Sequence, residues 1–323
     1  MEQNQIEEIL QYLPKSRTKF YYFKDRYALM LLSYAIGQRE GMKVAEIKKS
    51  TFGRLMEKPL VKEIAHHLGK SNLTRDLLDA LWPKDFFCYL LTVDKWGGRK
   101  GRSRLYDQTS RPGCNLVLQL NFSAEHNTSY QRLIKPQNAH PFKNYGHPIA
   151  KDGKNHTLAW ARIDIDLETG EALIEEIQTD WIRLAARTRK DVEQYGNVDE
   201  PQRRYIPRYL KRLCCNAKEL SRYVEDELKP HAAIWEEAML MSTIWFLKEE
   251  IGISTIFYHT FDFGCQLKRI EGARPPQSLY TTLPKKFCFE KTGCVPSFLQ
   301  KKSNRRTKEL INREERQFYS LIL

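Results

Sequence analysis

TLAWARIDIDLETGEALIEEIQTDW, running from Thr157 to Trp181, decides the fold. Thr157–Leu167 alternates apolar and polar residues and reads as a strand; a turn centred on Thr169-Gly170 follows, and Ala172–Gln178 reads as a second strand. A short glycine-containing link between two such runs predicts an antiparallel hairpin. The second strand carries an uncommon load of polar groups. Strict alternation puts Ile174, Glu176, Gln178 and Asp180 on one face and Leu173, Glu175, Ile177 and Trp181 on the other. Burying Glu176, Gln178 and Asp180 is costly unless they meet partners or a ligand, which makes this segment the leading candidate site. Each also has an ordinary role open to it: Asp180 as a helix N-cap, Glu176 paired with Arg162, Gln178 on backbone groups at the strand end, Trp181 in the core.

Outward from the hairpin, residues 1–85 read as helical. Phe20–Ile36 is predicted as one helix stopped by Gly37, with short helices over Val44–Lys49, Leu60–Leu68 and Thr74–Leu81. The pair around Gly69 has helix-turn-helix spacing, as any short helix pair does. Phe86–Val93 and Asn115–Phe122 read as strands. Between them Trp96–Gly113 is rich in glycine and arginine, lacks the spacing of a phosphate loop, and offers Arg99, Lys100, Arg102 and Arg104 either to solvent or to an anion. Ser123 is expected to cap a helix to Ile134. After the hairpin come helices over 181–195, 201–228 and 231–250, a buried strand Ile253–Phe261, a helical turn within Pro275–Phe287 and a basic helical tail from Lys301 to Arg316. The expected class is α+β, a largely antiparallel sheet covered by helices on one face. The divisions are a helical region 1–85, an α+β domain 86–300 and a basic tail 301–323.

Fifty-three Lys and Arg against 40 Asp and Glu leave a formal charge of +13, which favours polyanionic partners. The seven cysteines form no C-x-x-C pair, so neither a disulfide framework nor a metal site is expected. No apolar run reaches the ~18 residues of a membrane span, and the N-terminus lacks signal-peptide character. A cytoplasmic protein is the expectation. Nucleophile-elbow, zinc-protease and dinucleotide motifs are absent. A second cluster, Tyr258, His259, Thr260 and Asp262, ends the later strand, and His259 has the side chain best suited to proton transfer near neutrality. Tyr280 adds a phenol able to donate to a leaving group. Arg183, Arg187 and Arg189, then RRYIPRYLKR (Arg203–Arg212), interleave cations with aromatics, a pattern that tracks phosphates and stacks on bases.

The run HTLAWARIDIDLETGEALIEEIQTDW resembles a segment of large phage and mobile-element polyvalent proteins. AMLMSTIWFLKEEIGISTIFYHT and SLYTTLPKKFCF resemble two later blocks of that family, so the likeness spans residues 156–290 in outline. It implies a site at Glu176, Gln178, Asp180 and Trp181 without specifying a reaction. His259 and Asp262 stand where that family carries a Gly-Glu-Gln-Gln type of run. A looser likeness is to GNAT acyltransferases, in the strand, helix, strand order and in Tyr280 to Phe287. It implies acetyl-CoA as donor, although the glycine loop for its pyrophosphate is replaced by IRLAARTRK, where Arg183, Arg187 and Arg189 and the helix N-terminus would stand in. The resulting expectation is a GNAT-like group transferase on a nucleotide or nucleic-acid-associated substrate, in a mobile-element or defence setting. Glu176, Gln178, Asp180, His259 and Tyr280 are its catalytic candidates. The rival is a non-catalytic nucleic-acid-binding protein using Arg183, Arg187, Arg203, Arg204, Tyr205, Arg208 and Tyr209.

Overall fold

The hairpin forms over Thr157–Asp166 and Glu171–Gln178, with Gly170 in the left-handed region at φ +65°, a conformation glycine adopts without steric cost. It lies inside a large sheet in this computed structural model, which describes residues 1–13, 18–69, 71–98, 108–137, 140–151, 154–195, 213–272, 274–302, 304–313 and 318–323. In chain order the strands are β1 (Thr18–Tyr22), β2 (Met42–Lys43), β3 (Asn72–Leu73), β4 (Phe87–Gly97), β5 (Cys114–Asn121), β6 (Thr157–Asp166), β7 (Glu171–Gln178), β8 (Thr255–His259), β9 (Glu290–Thr292) and β10 (Phe318–Ile322). β2 and β3 pair with each other. The other eight form one sheet in the order β1-β4-β5-β6-β7-β8-β10-β9. Its neighbours are antiparallel except β7 and β8, which run parallel. The fold is α+β, with a mostly antiparallel sheet and a helical N-terminal region.

The helix Trp235–Trp245 packs across β5, β6 and β7. Its residues from Glu237 to Ile244 are all buried, as a helix with no polar face requires. The main core lies on this side of the sheet and includes Ala161, Ile163, Ile174, Ile177 and Tyr258. On the opposite side a smaller cluster joins Leu173, Phe257 and Phe318 to Phe263, Leu267, Phe298 and Leu299. Helices on one face only therefore does not hold: near β8 the sheet is buried on both sides, which is why Ile256, Phe257 and Tyr258 are consecutively buried.

Three further elements differ from their sequence reading. Phe20–Tyr22 is not helical but belongs to β1, paired with β4, and the helix begins at Arg26; the aromatic FYY run is as well suited to a strand edge as to a helix. Around Gly69 the chain enters β3, and the second helix of the supposed pair is the five-residue Arg75–Asp79. The C-terminal stretch is not simply a basic helical tail. It holds two short helices, Ser297–Lys302 and Arg305–Ile311, and then β10, which lies inside the sheet between β8 and β9. Residues 203–209 lie outside the described residues, as do Arg99, Lys100, Arg102 and Arg104. No helix among the described residues is long and apolar enough to cross a membrane.

Candidate functional site

The polar strand is built around one irregularity. Arg162 of β6 pairs with Glu176, yet the next residue, Ile163, pairs with Ile174. Glu175 is the extra residue of a β-bulge, and a bulge re-aims the side chains on either side of it. The consequence is visible in the packing: Ile174 and Ile177 share the main core, while Leu173 joins the opposite cluster. Strict alternation, which put Ile174 with Glu176 and Leu173 with Ile177, is overturned by that single residue.

Glu176 enters the expected pair with Arg162, whose Nη2 and Nε donate to Oε2 at 2.5 and 3.2 Å. Burial works to raise the Glu176 carboxyl, but the charge of Arg162, then that of Lys268, outweighs it and the pKa falls below the ordinary range. Arg162 also donates to the Gln108 carbonyl at 3.2 Å and lies over the Trp96 ring. This pair lines a cleft of about 240 Å3 together with Trp96, Trp160, Gln178 and His147.

At the cleft, His147 Nδ1 donates to Asp180 Oδ2 at 2.8 Å, and the His147 side chain keeps 32% of its surface exposed against 3% for Asp180. Trp160 Nε1 donates to the same oxygen at 3.2 Å. Gln178 Nε2 and Arg183 Nη2 donate to Oδ1 at 2.9 and 2.6 Å. Burial opposes ionisation of Asp180, but these bonds, that from His147 foremost, hold its pKa below the usual value. An imidazole whose Nδ1–H is committed to a buried carboxylate presents Nε2 as its acceptor. Asp180 is therefore an orienting group, and its side chain does not cap the helix Trp181–Tyr195; Thr179 Oγ1, at 3.4 Å from the Ile182 amide, stands closer to that role.

His259 belongs elsewhere. It and Glu175 are completely buried, with His259 Nε2 at 3.0 Å from Glu175 Oε2 and 2.9 Å from Ser110 Oγ. Ser110 donates its hydroxyl to Glu175 Oε2 at 2.7 Å and its amide to Oε1 at 2.9 Å. A catalytic serine must give its proton to one imidazole nitrogen while the acid holds the other. Here both partners crowd Nε2, the serine proton goes to the carboxylate, and Nδ1 has no partner among the described residues. Burial lowers the His259 pKa and keeps the ring neutral, since a proton on Nδ1 would find no acceptor. The triangle ties the Ser110 loop to β7 and β8. Where those strands part beyond Ile174 and Tyr258, Lys268 Nζ takes the Glu175 carbonyl at 2.6 Å.

The structure thus brings Glu176 and Gln178 to one cleft with Asp180 behind them, and leaves His259 and Tyr280 out. Tyr280 is buried against Tyr258, its hydroxyl without a partner among the described residues. Asp262 stays exposed near Arg274. Of the described basic candidates, Arg183 is spent on Asp180 and Arg187 lies 3.7 Å from Asp191. The start of the helix Trp181–Tyr195 does not fit a coenzyme A pyrophosphate: the Asp180 carboxylate stands there and already holds Arg183. The residue the sequence reading missed is His147. Its signal was slight, a histidine between Gly146 and Pro148 in a polar loop, and nothing local links it to Asp180 33 positions on. Comparison with protein-family models, with curated proteins and with solved structures finds no match.

Proposed function

We propose that the chain is a group-transfer enzyme in which His147 accepts a proton from an anionic, nucleotide-like substrate held between Trp96 and Trp160. The observation that carries the reading is the half-exposed His147 ring, fixed through Nδ1 by buried Asp180, beside a cleft lined by the Arg162–Glu176 pair. A positioned imidazole contributes about 100-fold to 10,000-fold in proton-transfer steps. Glu176 and Gln178 serve as substrate contacts in this reading, with Asp180 as orienter. The +13 charge supports an anionic substrate. The parallel pairing of β7 and β8 supports the GNAT-like comparison only in part, since several helices, from Trp181–Tyr195 to Trp235–Trp245, lie between the two strands, and no step through coenzyme A enters the reading.

The test is a panel of nucleotides and oligonucleotides with a cell-metabolite extract as co-substrate source, read by mass spectrometry for modified product. The expected outcome is product with the wild type and turnover at least about 100-fold lower with His147→Gln, its circular dichroism unchanged. Turnover surviving in His147→Gln overturns the assignment. Salt-sensitive oligonucleotide binding with no product favours the rival nucleic-acid-binding reading, for which the +13 charge is also support.

A further inference from the structure

A second pocket, of about 450 Å3, shares Gln108 as a lining residue with the tryptophan cleft. Its walls are the run Gln108–Pro112, the end of the helix Phe261–Lys268 and the start of the helix Arg305–Ile311. Arg111, Lys268, Arg269 and Arg306 line it, and no carboxylate among the described residues does.

These four cations are not equally compensated. Arg111 is clamped on Asp164, Nε and Nη2 donating at 2.6 and 2.8 Å. Lys268 is buried and bonded to the neutral Glu175 carbonyl, with the Glu175 and Glu176 charges behind it. Arg269 and Arg306 enter no ion pair among the described residues; Arg306 gives one N–H to the Gln266 carbonyl at 3.0 Å. Arg269 is the C-cap of its helix, in the left-handed region at φ +55°. Ser110 and Thr307 also line it, but their hydroxyls are already given to Glu175 and to the Ser110 carbonyl.

Two unpaired guanidiniums over one concavity repel each other and focus a positive potential into it. A guanidinium offers five N–H donors in a planar fork matched to phosphate oxygens. We infer that this pocket binds a phosphorylated small molecule through its phosphoryl group, with Arg269 and Arg306 as its principal contacts. Its volume exceeds that of a lone phosphate and falls within the range of small-molecule sites, about 300–1,000 Å3, so it also holds part of the group bearing the phosphate. The site is separate from the His147 cleft and does not depend on the transfer reading.

The test is calorimetric titration of the full chain with inorganic pyrophosphate and with ADP. The expected result is saturable binding of both, weakening as salt rises, with pyrophosphate at one site and at least about tenfold weaker in the Arg269→Ala/Arg306→Ala variant. The same affinity is expected in a Lys301→Ala/Lys308→Ala control, which removes two exposed cations outside the pocket. His147→Gln should bind pyrophosphate as the wild type does, even if it abolishes turnover, which separates the two sites. Absence of saturable binding, equal affinity in the double-arginine variant, or binding of single-stranded oligonucleotide but not of pyrophosphate or ADP overturns the inference.

Discussion

Glu175 and Glu176 are chain neighbours in a strand, yet each has a separate set of partners: Glu175 closes on Ser110 and His259, Glu176 on Arg162 at the cleft. The bulge at this point makes both placements compatible with one strand. It divides a fully buried carboxylate from one that lines the cleft.

Breaking the Arg162–Glu176 pair on one side should be expensive. The two side chains are 2% and 11% exposed, and removing one partner of a buried pair leaves an uncompensated charge costing about 3–5 kcal/mol. Glu176→Leu and Arg162→Met should each lower the urea midpoint strongly, while the double variant recovers much of the loss. A loss in the double variant equal to the sum of the two single losses would show that the two charges are not coupled.

Asp180 should fix the tautomer of His147. In the wild type, nitrogen-15 spectra of the imidazole should show the proton on Nδ1, where Asp180 Oδ2 lies 2.8 Å away. Asp180→Asn should move population towards the Nε2–H form. An unchanged tautomer in that variant would remove Asp180 from its orienting role.

Gly264 lies over His259: a Cβ there would stand 2.9 Å from His259 Cβ and 3.1 Å from Cγ. Gly264→Ala must push the Glu175–His259–Ser110 triangle apart, and overpacking of this kind costs about 1–3 kcal/mol. This outweighs the gain of about 1 kcal/mol from helix propensity, so the measured midpoint should fall. A stabilised Gly264→Ala protein would contradict the packing.

Stability should decline on the acid side of neutrality. Burial pushes His126 down to about 2 and His231 down to about 4, whereas an unfolded histidine titrates near about 6.5. Below that pH the unfolded chain binds protons the folded chain refuses, so the stabilisation is complete above about pH 6.5 and is lost as pH falls towards the folded values. Glu175 adds to the loss at lower pH. Burial alone would raise it, but the hydrogen bond from His259 and the charges of Lys268 and Arg162 hold it below the usual carboxylate range. Urea midpoints between about pH 7.5 and about pH 5 should therefore drop, with a shallower slope in His126→Leu. A flat profile would mean these rings are protonated inside the fold.

Local pattern carried much of the architecture. The Ser123-capped helix, the β6–β7 hairpin, the Gly37 stop and the apolar helix before β8 were all legible, because each rests on periodicity or turn chemistry within a dozen residues. Phe20–Tyr22 and Phe318–Ile322 were not, since a short aromatic or aliphatic run becomes a strand only when a partner edge is there to receive it. The candidate site divided in the same way. Glu176, Gln178 and Asp180 stood out because polar groups on a strand otherwise built for burial are conspicuous, whereas His147 and the Arg269–Arg306 pair have no local signature. Sequence alone determined an α+β chain with a costly polar strand. Tertiary structure decided which carboxylate is sealed and which lines the cleft, because the bulge, the parting of β7 from β8 and the loop bearing His147 are set by contacts between distant segments.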